Sequence, residues 1–190
     1  MRRFAACSIA VDITEFLARR AAGETQFAGI ELTYGDLKCL DLRHVQLAGA
    51  RLSHVDLRGA DLSHASLQGA TLREVNLRGS HLFAVRASRV TMVNVELSAA
   101  NLHAADLEGA QLAGIRLAVA QLAHTILRRA NLRGANLKGA NLTRADARDA
   151  IFAGADLTDV IFDRTRLEGT GLVVPNTGMR AWPVPPDDAG

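Results

Sequence analysis

The chain is short of several things that usually announce a function. Of its 190 residues only two are cysteine, Cys7 and Cys39. That excludes a disulfide framework and suits a reducing cytoplasm. All four prolines lie beyond residue 172, so nothing before that point is punctuated by proline. No apolar run approaches the roughly 18 residues that a membrane-spanning helix needs. Arg2-Arg3 followed by Phe4 to Val11 faintly suggests an export signal, but the apolar stretch is short and Asp12 ends it. Neither sign of charge dominates: 22 Lys and Arg stand against 20 Asp and Glu. A general attraction to nucleic acid or to an acidic membrane is therefore not expected. Aromatic residues make up 4% of the chain, and none accompanies the arginine-rich stretch 128–148, so a base-stacking platform there is not expected either. Phosphate-cradling loops, CxxC pairs and nucleotide fingerprints do not occur.

What the chain has in abundance is a period of five. Residues 130–147 read Ala-Asn-Leu-Arg-Gly, Ala-Asn-Leu-Lys-Gly, Ala-Asn-Leu-Thr-Arg, Ala-Asp-Ala, and the phase holds from Phe27 to Leu172 without insertion or deletion. Taking the central Leu as position i, it recurs thirty times: twenty-four Leu, three Phe (Phe27, Phe152, Phe162), and Ala87, Met92 and Ala147. Position i−2 is mostly Ala or Val. In a helix, five residues advance a side chain by about 500°, so successive Leu would scatter around the axis. In a flat strand an odd period would send them to alternate faces. The chain must instead turn once per repeat.

The remaining positions agree with a corner. Eleven of the sixteen glycines sit at i+2, where a positive φ suits them, and twelve of the thirty i−1 residues are Asn or Asp, which hydrogen-bond local backbone at turns. A lone repeat is not stable: ordering five residues costs roughly 5–10 kcal/mol and burying one Leu returns about 1.5–3. Stability must come from stacked turns.

The motif Ala-(Asp/Asn)-Leu-x-x resembles the pentapeptide repeat family over about three-quarters of the chain. The resemblance implies an all-β fold, a right-handed quadrilateral β-helix with four repeats per coil and with i and i−2 inward. Thirty repeats then give about 7.5 coils, a rod roughly 36 Å long at the ~4.8 Å inter-strand spacing. The expected organisation is residues 1–24 as lead-in and capping helix, 25–174 as β-helix, and 175–190 as a Pro-rich tail. Asp12 or Thr14 is expected to cap a short helix through Ala22, with Phe16 and Leu17 facing the first coil. Such a helix would cover strand edges that otherwise invite aggregation. Met179 and Trp182 are expected to fold over the last coil as a plug.

For function, we expect no enzyme and no cofactor. Ser53-His54, Ser63-His64 and Ser80-His81 are consecutive residues around a corner, and a Leu-filled rod offers no pocket. Five of the six histidines (His44, His64, His81, His103, His124) fold onto one face. His44 and His64 are equivalent sites in adjacent coils and could together hold a transition metal, although exposed histidines at permissive positions are the simpler reading. From Gly109 to Leu127 the exterior carries a single formal charge, Arg116, among Ala113, Gly114, Ala118, Val119 and Ala123, and Ile126 occupies a normally polar site. We take Ala113, Arg116, Ala118, Val119, Ala123 and Ile126 as the candidate interaction surface, a smooth belt able to dock a protein partner or a second copy.

The expected role is a rigid, non-catalytic protein-interaction module in a bacterial cytoplasm, in a regulatory setting. The small cyanobacterial members that act on transcriptional control proteins have an N-terminal segment similar to Asp12–Gly29. The family also includes members that protect DNA gyrase from quinolones or peptide toxins by resembling DNA. That role needs a strongly negative face, and here the i−1 column Asp36, Asp56, Asn76, Glu96, Arg116 lies beside Lys38, Arg58 and Arg78. DNA gyrase is therefore the alternative partner, and direct nucleic-acid binding is disfavoured.

Overall fold

The computed structural model describes residues 9–172. A two-residue strand β1 (Ile9–Ala10) leads into helix α1 (Ile13–Ala21), and β2 (Ile30–Asp36), β3 (Arg51–Asp56), β4 (Thr71–Arg73) and β5 (Thr91–Val93) follow. All pair in parallel, in chain order. From β2 onward each pair is offset by twenty residues, as in Leu32↔Leu52, Leu52↔Leu72 and Leu72↔Met92. Beyond β5 single parallel bridges continue the same offset, ending at Asp146↔Arg166. The bridges form four columns, through residues 26/46/66, 31/51/71, 36/56/76 and 41/61/81, which we call faces one to four. Four repeats per turn, stacked in parallel, make a right-handed quadrilateral β-helix.

Positions i and i−2 point inward. Leu102, Leu122 and Leu142 are buried one above another, and so are Ala100, Ala120 and Ala140. Where i−2 is polar, its hydroxyl is used: Ser80 Oγ donates to the Leu77 carbonyl at 2.7 Å, and Thr125 Oγ1 to the Leu102 carbonyl at 2.9 Å. These bonds satisfy groups whose burial would otherwise be costly. Ala87 and Ala147 occupy core positions and are buried like their Leu neighbours.

The corners share a backbone conformation. At most of them the i+3 amide donates to the i carbonyl, as Ala105 does to Leu102 at 3.0 Å, although no such bond forms at Leu72 or Met92. The i+2 residue takes a positive φ at every corner from Gly29 to Gly169, including eighteen residues that are not glycine. The i−1 Asp and Asn side chains act as the sequence suggests, each accepting from the amide two residues on. Arg43 N donates to Asp41 Oδ1 at 3.0 Å, and His103 N to Asn101 Oδ1 at 3.1 Å.

Those carboxylates carry a pH dependence. Side-chain bonds from Arg43, Arg58 and Arg148 hold Asp41, Asp56 and Asp146 below the ordinary carboxylate range, with help from the backbone amides. A carboxyl depressed in the folded state stabilises above its unfolded pKa of about 3.9, and the contribution is lost as pH falls through the folded value. The carboxylate share of stability should therefore be constant above about pH 5 and decline below about pH 4. In Asp41→Asn, which keeps the turn bond, the acid-side fall in melting temperature should be smaller. An identical acid limb in the variant would refute the assignment.

The first coil is covered by α1. Asp12 caps it, accepting from Glu15 N at 2.8 Å. Phe16 is buried against Phe27, their ring centroids 4.7 Å apart. The expectation for Leu17 is corrected: it is 37% exposed, and Ile13, at the start of the helix, packs inward instead. The buried face of the nine-residue helix is centred between Ile13 and Phe16, and Leu17 lies about 70° from that centre, at its edge. At the other end Leu157, Leu167 and Leu172 are only partly buried. The Met179 and Trp182 plug lies outside the described residues. No helix among the described residues is long and apolar enough to cross a membrane.

Candidate functional site

The twenty-residue offset decides which outward residues are neighbours. The six residues of the candidate belt fall within one twenty-residue coil, so they spread around the rod instead of sharing a face. Ala113 is on face two, Arg116 and Ala118 on face three, Val119 at the corner leading to face four, Ala123 on face four, and Ile126 on face one. Ala113, Arg116 and Val119 are exposed, and Ala118, Ala123 and Ile126 partly so. A flat partner would reach those on one face and its edges, not all six.

Read by face, the exterior is uneven. Face three is laced with pairs: Lys38 Nζ lies 2.8 Å from Asp36 and Arg58 Nη2 2.6 Å from Asp56. Face one has a network in which Arg128, Arg148 and Arg166 converge on Asp146. Face four differs. Between Asp61 and Arg144 it presents no Asp, Glu, Lys or Arg. Its i−1 column there is His81, Asn101, Gln121 and Asn141, and its i+1 column is Phe83, His103, Ala123 and Thr143. The corner beyond adds Ala84, Ala104 and His124. From rung 81 to rung 141 this neutral platform runs about 14 Å at the usual strand spacing.

An aromatic ladder crosses it. His44 and His64 stack at 5.3 Å, and His64 meets Phe83 edge-on at 5.4 Å. Phe83 stacks on His103 at 5.7 Å, and His103 meets His124 at 5.1 Å. The rings are held by one another, so little rotamer freedom remains to be lost when a partner covers them. Phe83 is 39% exposed. The His44 and His64 rings lie 6° from parallel, so their in-plane lone pairs run side by side rather than converging on one ion. No group of three or more His, Cys, Asp or Glu that could hold a metal occurs among the described residues.

The Ser-His neighbours serve other contacts. His54 stacks on Tyr34 at 4.7 Å, with Nδ1 3.1 Å from Glu74, while Ser80 is committed to the Leu77 carbonyl. An open cleft of about 580 Å³ at the corner of faces one and two is lined by Arg89, Arg129, Asp106 and Glu108. Its charges are mixed in sign.

Val119 edges the platform and is strained. It is β-branched, 54% exposed, and held at φ 53°. A left-handed conformation costs an ordinary residue roughly 1–2 kcal/mol, less for Asn, which already occupies the equivalent corner at Asn94. Val119→Asn should therefore raise stability by about 1 kcal/mol, read as a higher urea midpoint. A lower midpoint would mean that its lean over Gly139 outweighs the strain.

The histidines on this face are legible in the sequence, but the belt from Ala113 to Ile126 is a window of sequence and not a face. The signal for the platform was the absence of charge in every twentieth residue.

The family profile described as pentapeptide repeats matches in eight copies, over residues 41–79, 80–117, 116–152 and 135–170. No curated protein matches the chain. Among solved structures, full-length QnrB1, a plasmid-mediated fluoroquinolone resistance protein, is similar at 14% identity, over 87% of this chain and 89% of its own, with a TM-score of 0.46. HetL, a pentapeptide repeat protein involved in heterocyst differentiation regulation in the cyanobacterium Nostoc sp. strain PCC 7120, is similar at 26% identity. That likeness covers 90% of this chain and 99% of HetL, with a TM-score of 0.31. Rfr23, from the cyanobacterium Cyanothece 51142, is similar at 26% identity over 83% of this chain and 92% of its own, with a TM-score of 0.28. With the five-residue period, the twenty-residue register and a profile spanning 41–170, the chain belongs to the pentapeptide repeat family.

Proposed function

We propose that this protein is a non-catalytic interaction module of the cytoplasm, and that it binds a protein partner through face four. The observation that carries the reading is the neutral, ring-laddered platform between Asp61 and Arg144, on a rod whose faces one and three carry paired charges. Interface centres are depleted in charge and enriched in aromatic side chains, and a rigid surface loses little entropy on binding. Of the six belt residues, Val119 and Ala123 belong to this surface. The other four lie on other faces.

The test compares two charge insertions in affinity capture from native lysate: Ala123→Arg on the platform and Ala118→Arg on face three. A specific protein captured by the unaltered chain should be lost with Ala123→Arg and kept with Ala118→Arg. Equal capture by both variants, or no specific partner at all, refutes the reading.

The gyrase alternative draws no support from the surface, because its carboxylates are interleaved with Arg and Lys rather than gathered on one face. A supercoiling assay in which the protein inhibits gyrase or relieves a quinolone would reinstate it.

A further inference from the structure

We propose that the chain closes its own C-terminal end: the segment beyond Leu172 keeps the twenty-residue register for two more repeats and seats Trp182 on Phe162. The closure is independent of what binds face four.

The last coil is where the core stops being covered. Every i residue from Phe27 to Phe152 is buried. Leu157, Leu167 and Leu172, the last of their columns, are only partly buried, and so is Ala155 at i−2. The strand edge is open as well. Lower in the rod each i amide donates to the coil above, as Leu137 does to Asp156 and Leu142 to Ile161. The amides of Leu157, Phe162 and Leu167 find no backbone acceptor among the described residues. An uncovered edge of this kind invites pairing with other chains. The opposite end shows what closure takes: Phe27, the first i residue, is covered by Phe16 of α1, and β1 pairs with Ile30 and Glu31.

Residues 173–190 follow, and the register says which of them reach the open end. Counting on in fives, Thr177 falls at i above Leu157, and Trp182 at i above Phe162. Trp182 is the one tryptophan of the chain, and its column already widens from Leu142 to Phe162. Asn176 falls at i−1, where Asn and Asp are common. Pro183 falls at i+1, and proline suits a turn position followed by a residue with positive φ.

The departures from the motif mark a stop. Arg180 falls at i−2, which suits only a coil with nothing above it, where the stem can cover Val160 while the guanidinium reaches water. Pro175 and Pro185, also at i−2, lack the amide that closes a corner, a bond that Leu72 and Met92 already do without. Pro186, at i−1, cannot donate to the Thr165 carbonyl, so the ladder is not offered to a further chain. Each end of the rod is then closed by an aromatic pair.

The single tryptophan makes the test direct. In the full chain Trp182 fluorescence should be blue-shifted from that of N-acetyltryptophanamide and slow to quench with acrylamide, at every protein concentration. Phe162→Ala should move the emission to the red while the circular dichroism of the rod is kept. A double-mutant cycle of Phe162→Ala and Trp182→Ala should show a coupling of about twofold to tenfold in the unfolding equilibrium constant. Register is read separately, with Cys7 and Cys39 replaced by Ser. Ile161→Cys and Ala181→Cys, in line at i−1, should form an intramolecular disulfide, because the strand spacing lies within the Cα range that a disulfide spans. That cross-link decides the matter even if Phe162→Ala unfolds the last coil. Emission like that of the free model compound overturns the proposal. So does an emission indifferent to Phe162→Ala, or the absence of the 161–181 disulfide. A blue shift that appears only as protein concentration rises overturns it too, since the end would then be covered by a second copy.

Discussion

Replacing Leu112 with Asp should destroy the rod's cooperative unfolding, at a cost above about 4 kcal/mol, whereas Arg116→Ala four residues away should stay within about 0.5 kcal/mol. Leu112 is 1% exposed and lies in the column of Leu72, Met92 and Leu132. A carboxylate there would face a core cluster in which every neighbour is apolar, with no counterion to offset its desolvation. Arg116 projects from face three and touches only Glu96, at 3.8 Å, an exposed pair of small worth. Because each coil contacts only its neighbours, the damage should be centred on residues 92–132 and spread toward the nearer end. Urea denaturation followed by circular dichroism measures the loss, and amide exchange locates it. Similar effects from the two substitutions would mean that the inward register is wrong.

Gly35→Val should undock the N-terminal helix. Gly35 occupies an i−2 position, where Ala or Val is the rule, and a β-carbon there would come within 2.6 Å of Ile13 Cδ1. The chain leaves a hole in its own first coil, and α1 fills it. A valine at 35 displaces Ile13, an overpacking cost of about 1–3 kcal/mol. If the helix leaves, Phe16 and Phe27 lose their shared burial, and losses on the scale of large-to-small core changes follow, about 3–5 kcal/mol. The first strand edge is then exposed as well, which favours aggregation. Amide exchange should show residues 13–21 unprotected while coils beyond rung 61 remain protected. Unchanged protection of α1 would show that the helix is held elsewhere, through Arg20 to the Asp41 carbonyl or Arg19 to Glu24.

Much of the fold was legible because a five-residue period admits few solutions. The inward Leu and Ala, the i+2 corners and the Asx-type bonds at i−1 follow from residue type and spacing alone. Less legible was anything that depends on which residues lie twenty apart. The belt from Ala113 to Ile126 looked like one surface because its residues are adjacent in sequence, yet a coil of twenty residues spreads them over four faces. Leu17 looked as apolar as Ile13, and only the phase of α1 against the first coil separates them. The eighteen corners with positive φ that lack glycine were invisible for a related reason: stacking forces that conformation whether or not the residue prefers it.

The sequence by itself determined that the chain turns once per five-residue repeat around a Leu-rich core, since neither a helix nor a flat strand buries every fifth residue; four repeats per coil was implied by the family resemblance and is shown by the twenty-residue register. It also determined that no face is uniformly charged. The tertiary structure alone decided that His44, His64, Phe83, His103 and His124 touch as a ladder, because rings nineteen to twenty-one residues apart meet only when the coils are in register. It decided, too, that Gly35 is a socket for Ile13, because a missing side chain has meaning only when something else occupies its place.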